Sequence, residues 1–244
     1  MSQNHHWGNF VKKVFIYFIT TLFAVSTLSA SVVLGNFELV KGSVKIKPED
    51  TFKKSNASKG LEIKKGDLIT TSKESNAIIK LQDGSTLILD ESSTLHFASK
   101  TLASQEEGKI YYNITSRDAK NALKVKTPFA IIGIKGTTFI VDTNKTSSVK
   151  LKEGLVGIQS LKEEFELYRK QVQADYKDYL SEQEKEYQKF LNEQNKGAVL
   201  ITKEFDLQEK NTITFDGQKV SESAWTEEDD AEFERFEALM ESLK

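Results

Sequence analysis

The stretch FAIIGIKGTTFIVDTN, residues 129–144, has a pattern that any fold of this chain must explain. It is rich in the β-branched and aromatic residues that favour strands. Gly133 and Gly136 nevertheless interrupt it, and two threonines follow the second glycine. A glycine inside a strand weakens it unless the chain bulges, turns a corner or lets another backbone come close. The stretch therefore predicts two strands joined at a bend.

The same kind of pattern extends from Val32 to Gln159, where apolar residues mostly alternate and turn residues interrupt them at regular intervals. One predicted hairpin turns at Lys41 and Gly42, and a second turns at Asp83 and Gly84 between two apolar runs. Many short strands without intervening helices indicate an antiparallel β-sandwich or roll. We therefore expect a mainly β fold, with residues 31–160 as its β domain.

Composition changes sharply at Leu161, and residues 161–196 contain neither Gly nor Pro and are dense in Glu, Lys and Gln. This composition predicts a long inserted α-helix with one apolar stripe, because its aromatic residues recur at helical intervals. The stripe includes Phe165, Tyr168, Tyr176 and Tyr179. A cap at Ser181 would instead divide the segment into a helical hairpin.

The strand pattern returns in residues 197–220, which we expect to rejoin the β domain, and residues 221–244 predict a short, acidic C-terminal helix. Thr226 can cap this helix, and the acids that follow it suit the positive end of the helix dipole. Phe233 and Phe236 share its apolar face. That face could pack either on the sheet or on the stripe of the long helix.

Residues 1–30 predict a secretory signal peptide or a membrane anchor, because Lys12 and Lys13 precede a dense apolar run. Cleavage after Ala30 would release the rest of the chain. Without cleavage, residues 14–30 would hold the protein at the inner membrane. Both alternatives predict that residues 31–244 are periplasmic.

Composition excludes several kinds of site. The chain has no cysteine, so disulfides and thiolate metal sites are impossible. Its formal net charge of −2 argues against a nucleic-acid surface. His96 lies between apolar residues in a predicted strand, and no spacing of His, Ser or acidic residues matches a catalytic motif. We therefore expect no enzyme activity, no cofactor and no metal.

The ordered strand segments resemble the FecR domain, a periplasmic ligand-sensing and signal-transmitting module of bacterial iron-uptake regulation. The resemblance spans residues 61–159. The residues that carry it are Gly66, Asp67, Thr70, Asp83, Gly84, Ser85, Gly108, Thr127, Pro128, Gly136, Thr137, Phe139, Glu153 and Gly154. It implies a sensing domain, but only residues 1–13 precede the apolar run, which is too short for a cytoplasmic domain that controls a sigma factor.

This resemblance favours a non-enzymatic binding or signalling module that recognises another envelope protein or a cell-wall component. Two alternatives are a membrane-anchored regulator that relays a periplasmic signal and a scaffold that forms a homodimer, as a coiled coil, through the long helix. The candidate partner-binding residues come from the glycine corner and from the predicted helix stripe. They are Gly136, Thr137, Thr138, Phe165, Tyr168, Tyr176 and Tyr179.

Overall fold

Short strands and one acidic helix make up this computed structural model, which describes residues 32–115, 122–134, 136–169 and 199–242. The elements of the described residues are β1 (Val33–Lys41), β2 (Val44–Lys47), β3 (Ser55–Asn56), β4 (Glu62–Lys64), β5 (Leu68–Thr71), β6 (Asn76–Leu81), β7 (Thr86–Leu89), β8 (Thr94–Ser99), β9 (Leu102–Glu107), β10 (Lys109–Asn113), β11 (Lys124–Lys126), β12 (Ala130–Ile134), β13 (Thr138–Asp142), β14 (Ser147–Glu153), β15 (Leu155–Ser160), β16 (Phe165–Arg169), β17 (Val199–Thr202), β18 (Glu204–Gln208), β19 (Asn211–Asp216), β20 (Lys219–Ala224) and α1 (Glu227–Glu241).

The strands form two sheets. Sheet A has the order β17-β16-β20-β19-β14-β13-β10-β7-β6-β1-β4, and sheet B has the order β18-β15-β12-β11-β9-β8-β5-β2-β3. Most neighbouring strands are antiparallel, but β16 runs parallel to β20 and β9 runs parallel to β11. The expected mainly β fold is confirmed, with two open mixed sheets in place of purely antiparallel ones.

The inner faces of the two sheets enclose one apolar core. Strand alternation decides which residues enter it, since successive side chains point to opposite faces. Tyr112 points inward, and its ring stacks on Phe139 with the ring centres 4.7 Å apart. Its neighbour Tyr111 belongs to a second apolar cluster on the outer face of sheet A. Sheet A is therefore apolar on both sides along its centre.

The opening stretch forms an inter-sheet corner, because β12 lies in sheet B and β13 lies in sheet A. Gly136 turns the chain between them with a φ of +64°. Gly154 packs against this corner at a φ of +95°, and a Cβ on it would lie 2.7 Å from the Gly136 carbonyl oxygen. The predicted bend at Gly136 is confirmed. Gly133 differs, since it lies inside β12 with ordinary strand backbone.

The two hairpin predictions have opposite outcomes. The turn at Asp83 and Gly84 joins β6 to β7, which pair antiparallel as expected. The hairpin across Lys41 and Gly42 is wrong, because β1 belongs to sheet A and β2 to sheet B. The chain crosses between the sheets at Gly42, and each strand buries its apolar residues from its own side of the core. Burial in the core outweighs the local turn signal there.

The predicted helix over residues 161–196 is wrong where it should begin, because residues 165–169 form β16. Phe165 and Leu167 alternate into the core, and the Phe165 ring contacts Phe205 and Phe215 at 5.7 and 5.8 Å between ring centres. Because these alternate side chains are buried, strand formation overrides the helical propensity of the charged residues around them. Residues 170–198, with the remainder of the predicted helix, its hairpin alternative and its coiled coil, lie outside the described residues.

The C-terminal helix is confirmed as α1. The Thr226 hydroxyl accepts a hydrogen bond from the Asp229 backbone N–H, and the Asp229 carboxylate accepts one from the Thr226 backbone N–H. This capping box satisfies two N–H groups that would otherwise lack partners at the helix start. Phe233 and Phe236 pack on the outer face of sheet A. Of the two predicted positions for the apolar face of this helix, the structure therefore has the one on the sheet.

The described residues from Val33 onward form one compact unit. Within the described residues, no helix has the length and apolar character needed to cross a bilayer. The predicted signal peptide or anchor in residues 1–30 lies outside those residues and stays a prediction.

Candidate recognition surface

The outer face of sheet A, here called the covered face, is occupied by α1. Its apolar centre consists of Ile78, Ile88, Tyr111 and Ile140. The Tyr111 ring stacks on Phe236 with 5.5 Å between ring centres and meets Phe233 edge-on at 5.8 Å. Aromatic pairs at such separations add to the stabilisation from burial alone. The helix therefore seals an apolar patch that would otherwise face water.

Ion pairs surround this apolar contact. Lys150 Nζ lies 2.7 Å from both Asp229 Oδ1 and Glu232 Oε2. Lys109 also pairs with Glu232, and it lies 3.2 Å from Asp142 Oδ2. Burial acts to raise the pKa of Glu232, but the two lysines outweigh it and hold that pKa below its ordinary value. The carboxylate is therefore ionised and fixes α1 to the sheet.

The outer face of sheet B presents the opposite situation. No helix or strand of the described residues covers it, since α1 lies on sheet A and every strand belongs to one of the two sheets. Strands β11, β12, β15 and β18 are adjacent there, and we call the outward residues that lie opposite one another across all four strands the open face. These residues are Lys124, Lys126, Ile131, Gly133, Gly157, Gln159, Glu204 and Asp206.

The register of the four strands arranges the open face in two rows across the sheet. In the first row Lys124, Gly133, Gly157 and Asp206 are directly opposite one another on successive strands. The second row contains Lys126, Ile131, Gln159 and Glu204 in the same order. The open face therefore has lysines along one side, acids along the other and two glycines in the middle.

The two glycines form the floor of a trough of about 410 Å³. A Cβ on Gly133 would lie 3.7 Å from the Gly157 carbonyl oxygen, and one on Gly157 would lie 3.6 Å from Asp206 Oδ1. Both distances are ordinary van der Waals contacts, and neither glycine has a positive φ. Folding therefore does not require glycine at either position. What the glycines provide is open space above the sheet, into which another molecule can approach closely.

The charges beside the trough are exposed, and no described residue forms an ion pair with Lys124, Lys126, Glu204 or Asp206. The acidic side is held firmly to the rest of the sandwich. Arg169 Nη2 donates a hydrogen bond of 2.9 Å to the Asp206 backbone carbonyl, and Arg169 Nε pairs with Glu222 in sheet A at 2.9 Å. The backbone of the acidic side is therefore fixed while its carboxylates face solvent.

Comparison with known families identifies much of this β body. Residues 67–157 match the family model described as FecR protein. These residues form a FecR domain. Five open-face residues lie inside the match, namely Lys124, Lys126, Ile131, Gly133 and Gly157. The acids of the open face are contributed by β18, which lies outside it.

Two crystal structures of a candidate anti-sigma factor from Parabacteroides distasonis are similar to this chain, each with 14% identity and a TM-score of 0.42. The likeness covers 65% of this chain and 59% of that protein, so the chain spans less than two thirds of that protein's length. No curated protein matches the chain.

The structure separates the predicted partner-binding residues into different regions. Thr137 is buried at the corner of the FecR domain beside Gly136, and Thr138 is half-buried at the start of β13. Phe165 is in the core, whereas Tyr168 points to the outer side of β16. Tyr176 and Tyr179 lie outside the described residues. A partner role for these residues stays a prediction.

Sequence reasoning missed the open face. Lys124 and Asp206 are far apart in the chain and ordinary in their local context, so only the strand register brings them into one row. One signal was available, namely Gly133 and Gly157 inside strand patterns without a turn. In the described part of the chain, no group of three or more acidic or histidine side chains is placed to hold a metal ion.

Proposed function

We propose that this protein is a non-enzymatic binding and signalling module of the bacterial envelope. Its FecR domain recognises a macromolecular partner, either another envelope protein or a cell-wall component, through the open face of sheet B. The FecR match supports a signalling role. The module works in the periplasm, either released from its leader or held at the inner membrane through residues 14–30.

The observation that carries this proposal is the contrast between the two outer faces. On the covered face, α1 buries the apolar residues of the sheet and forms ion pairs with its lysines. The open face holds a trough whose two glycines the fold does not need, and charges that no described residue pairs. Backbone exposed between two sets of solvated charges suits the recognition of an extended or flat partner surface.

The chemistry of the open face supports binding rather than catalysis. Its lysines and carboxylates are exposed, and strand spacings of about 4.8 Å separate the two sets by roughly 14 Å. A nucleophile and its base must lie within hydrogen-bonding reach of each other. Charges this far apart instead orient a partner, because complementary potentials fix the register and speed the encounter.

Site-specific photo-crosslinking in living cells tests the proposal. A benzophenone amino acid in place of Gln159 should give an adduct of one defined mass, whereas the same group in place of Glu228, on the solvent side of α1, should give none. Adding Gly157→Arg, which fills the trough, should abolish the Gln159 adduct. An adduct only from Glu228, or a Gln159 adduct that survives Gly157→Arg, would contradict the proposal.

A further inference from the structure

We propose that the partner of the open face is a second copy of this chain. Two molecules meet open face to open face, with a two-fold axis that runs along the strands between β12 and β15. This inference rests on the proposed function, because it names the partner of the same surface. It is a different interface from a coiled coil built on residues 161–196.

Self-complementary charge is the first argument. Within one molecule Lys124 and Asp206 are three strands apart, or about 14 Å, so they cannot pair with each other. Rotation about the proposed axis places the lysine side of one molecule opposite the acidic side of the other. Each row then lies opposite the same row of the second copy. Lys124 then faces Asp206 of the second copy, and Lys126 faces Glu204 of the second copy. Each contact occurs twice, as a two-fold interface requires.

The same charges exclude the other face-to-face arrangement. A two-fold axis across the strands, rather than along them, would place the lysines of one copy opposite the lysines of the other. It would likewise place the acids of one copy opposite the acids of the other. Like charges opposed across an interface are strongly unfavourable. The axis along the strands is therefore the one that the register selects.

The trough allows the open faces of the two copies to come into close contact. Gly133 and Gly157 lie on either side of the proposed axis, where bulky side chains would hold the molecules apart. Ile131, which is half-buried in the monomer, meets Gln159 of the second copy in the next row. The apolar stems of the lysines can fold into the space above the glycines while their ammonium groups reach the acids. Aligned sheet packing of this kind is common in β-sandwiches.

Interface size sets the expected affinity. Four strands spaced about 4.8 Å apart give a face roughly 19 Å wide, and strands of three to six residues give a length of about 10–20 Å. A contact of this size is at the low end for specific protein interfaces. We therefore expect reversible association in the micromolar range, which suits a signalling module better than a permanent dimer.

Charge reversal on the full chain tests the inference by sedimentation equilibrium over a concentration series. Lys124→Glu alone places two carboxylates against each other across the interface, and Asp206→Lys alone places two ammonium groups together. Each variant should dimerise about tenfold more weakly than the unchanged protein, or worse. An equimolar mixture of the two variants should regain dimerisation, because one contact of the mixed pair then joins the reversed charges and the other joins the original ones.

Two controls keep the outcome interpretable. Circular dichroism of each variant shows that it is folded, and Lys45→Glu, on the distant strand β2 of sheet B, should leave dimerisation unchanged. An unchanged protein that stays monomeric to about 0.5 mM, or a mixture that associates no better than the single variants, overturns the inference.

The proposed function can survive that result. If the chain is monomeric but Lys124→Glu still abolishes the Gln159 adduct in cells, the open face recognises a different molecule, and only the identity of the partner is wrong. If the adduct has twice the mass of the chain and the mixture restores association, both proposals hold.

Discussion

The two outer faces of this sandwich differ in what lies against their central residues and their charges. On the covered face, an apolar centre and a rim of lysines meet the phenylalanines and acids of α1, which belongs to the same chain. On the open face, glycines occupy the centre, and lysines and acids lie on opposite sides without a described partner. A face completed within the chain contributes to stability, whereas we propose that the incomplete face serves recognition.

Removing an aromatic ring from the covered face should have the largest effect. Phe236 is fully buried against Tyr111, so Phe236→Ala should lower the free energy of unfolding by about 3–5 kcal/mol in urea titrations. Ile131→Ala on the open face is the matched control and should cost less than about 1 kcal/mol, because Ile131 is only half-buried in the monomer. Equal losses would contradict the distinction between the faces.

Two glycines three residues apart provide the next comparison. Gly154→Ala should destabilise the fold by about 2–4 kcal/mol, because its φ is +95° and the new methyl would clash with Gly136. Gly157→Ala should be neutral or stabilise by up to about 1 kcal/mol, since space is available and alanine restricts the unfolded chain. Thermal unfolding of both variants checks this. A large loss for Gly157→Ala would show that the fold does require the trough glycines.

Glu232 tests the ion pairs of the covered face. Glu232→Gln removes a carboxylate shared by Lys109 and Lys150, and we expect a loss of about 1–3 kcal/mol. Glu228→Gln on the solvent side of α1 is the control, with an expected change within about 0.5 kcal/mol. A result for Glu232→Gln as small as the control would mean that the apolar contact alone holds the helix.

The same network predicts a dependence on pH. The pKa values of Glu232 and Asp229 are held below their ordinary values of 4.5 and 3.8. Burial acts to raise both pKa values, but the lysine partners, together with the Thr226 hydrogen bonds to Asp229, outweigh it. Their stabilisation is therefore complete above about pH 4.5 and is lost as the pH falls through the lowered values. Urea midpoints measured from pH 7 to pH 2 should fall in this range, and less steeply for Glu232→Gln. An identical slope in both proteins would contradict the assignment.

Charge reversal on the open face should have the smallest effect on stability. Lys124→Glu changes an exposed side chain with no ion-pair partner among the described residues, so the free energy of unfolding should move by less than about 0.5 kcal/mol. Chemical denaturation at a protein concentration too low for association measures this. A larger loss would mean that Lys124 supports the fold itself.

Local signals in the sequence were sufficient for several elements. The Asp83–Gly84 turn and its flanking apolar runs fix one hairpin, and Thr226 with the acids after it fixes the start of α1. Gly136 marks the corner because its conformation is one that other residues rarely adopt. Each of these signals acts over a few residues, so no tertiary information is needed.

The predictions from the sequence that proved wrong concern regions whose structure is decided by contacts between distant residues. Residues 161–169 have helical composition, but Phe165 and Leu167 are buried in the sandwich and form β16. The turn at Gly42 is real, yet it leads from one sheet to the other. The open face depends on the register of four strands drawn from residues 124–208, and no local pattern encodes that register.

Cysteine labelling in cells tests whether the open face is the surface that this protein uses for recognition. The natural chain has no cysteine, so Gln159→Cys and Glu228→Cys each introduce a single thiol. With a maleimide reagent, Gln159→Cys should react much more slowly in cells than in dilute purified protein, while Glu228→Cys should react equally fast in both. Equal reaction of Gln159→Cys in cells and in dilute solution would contradict the claim.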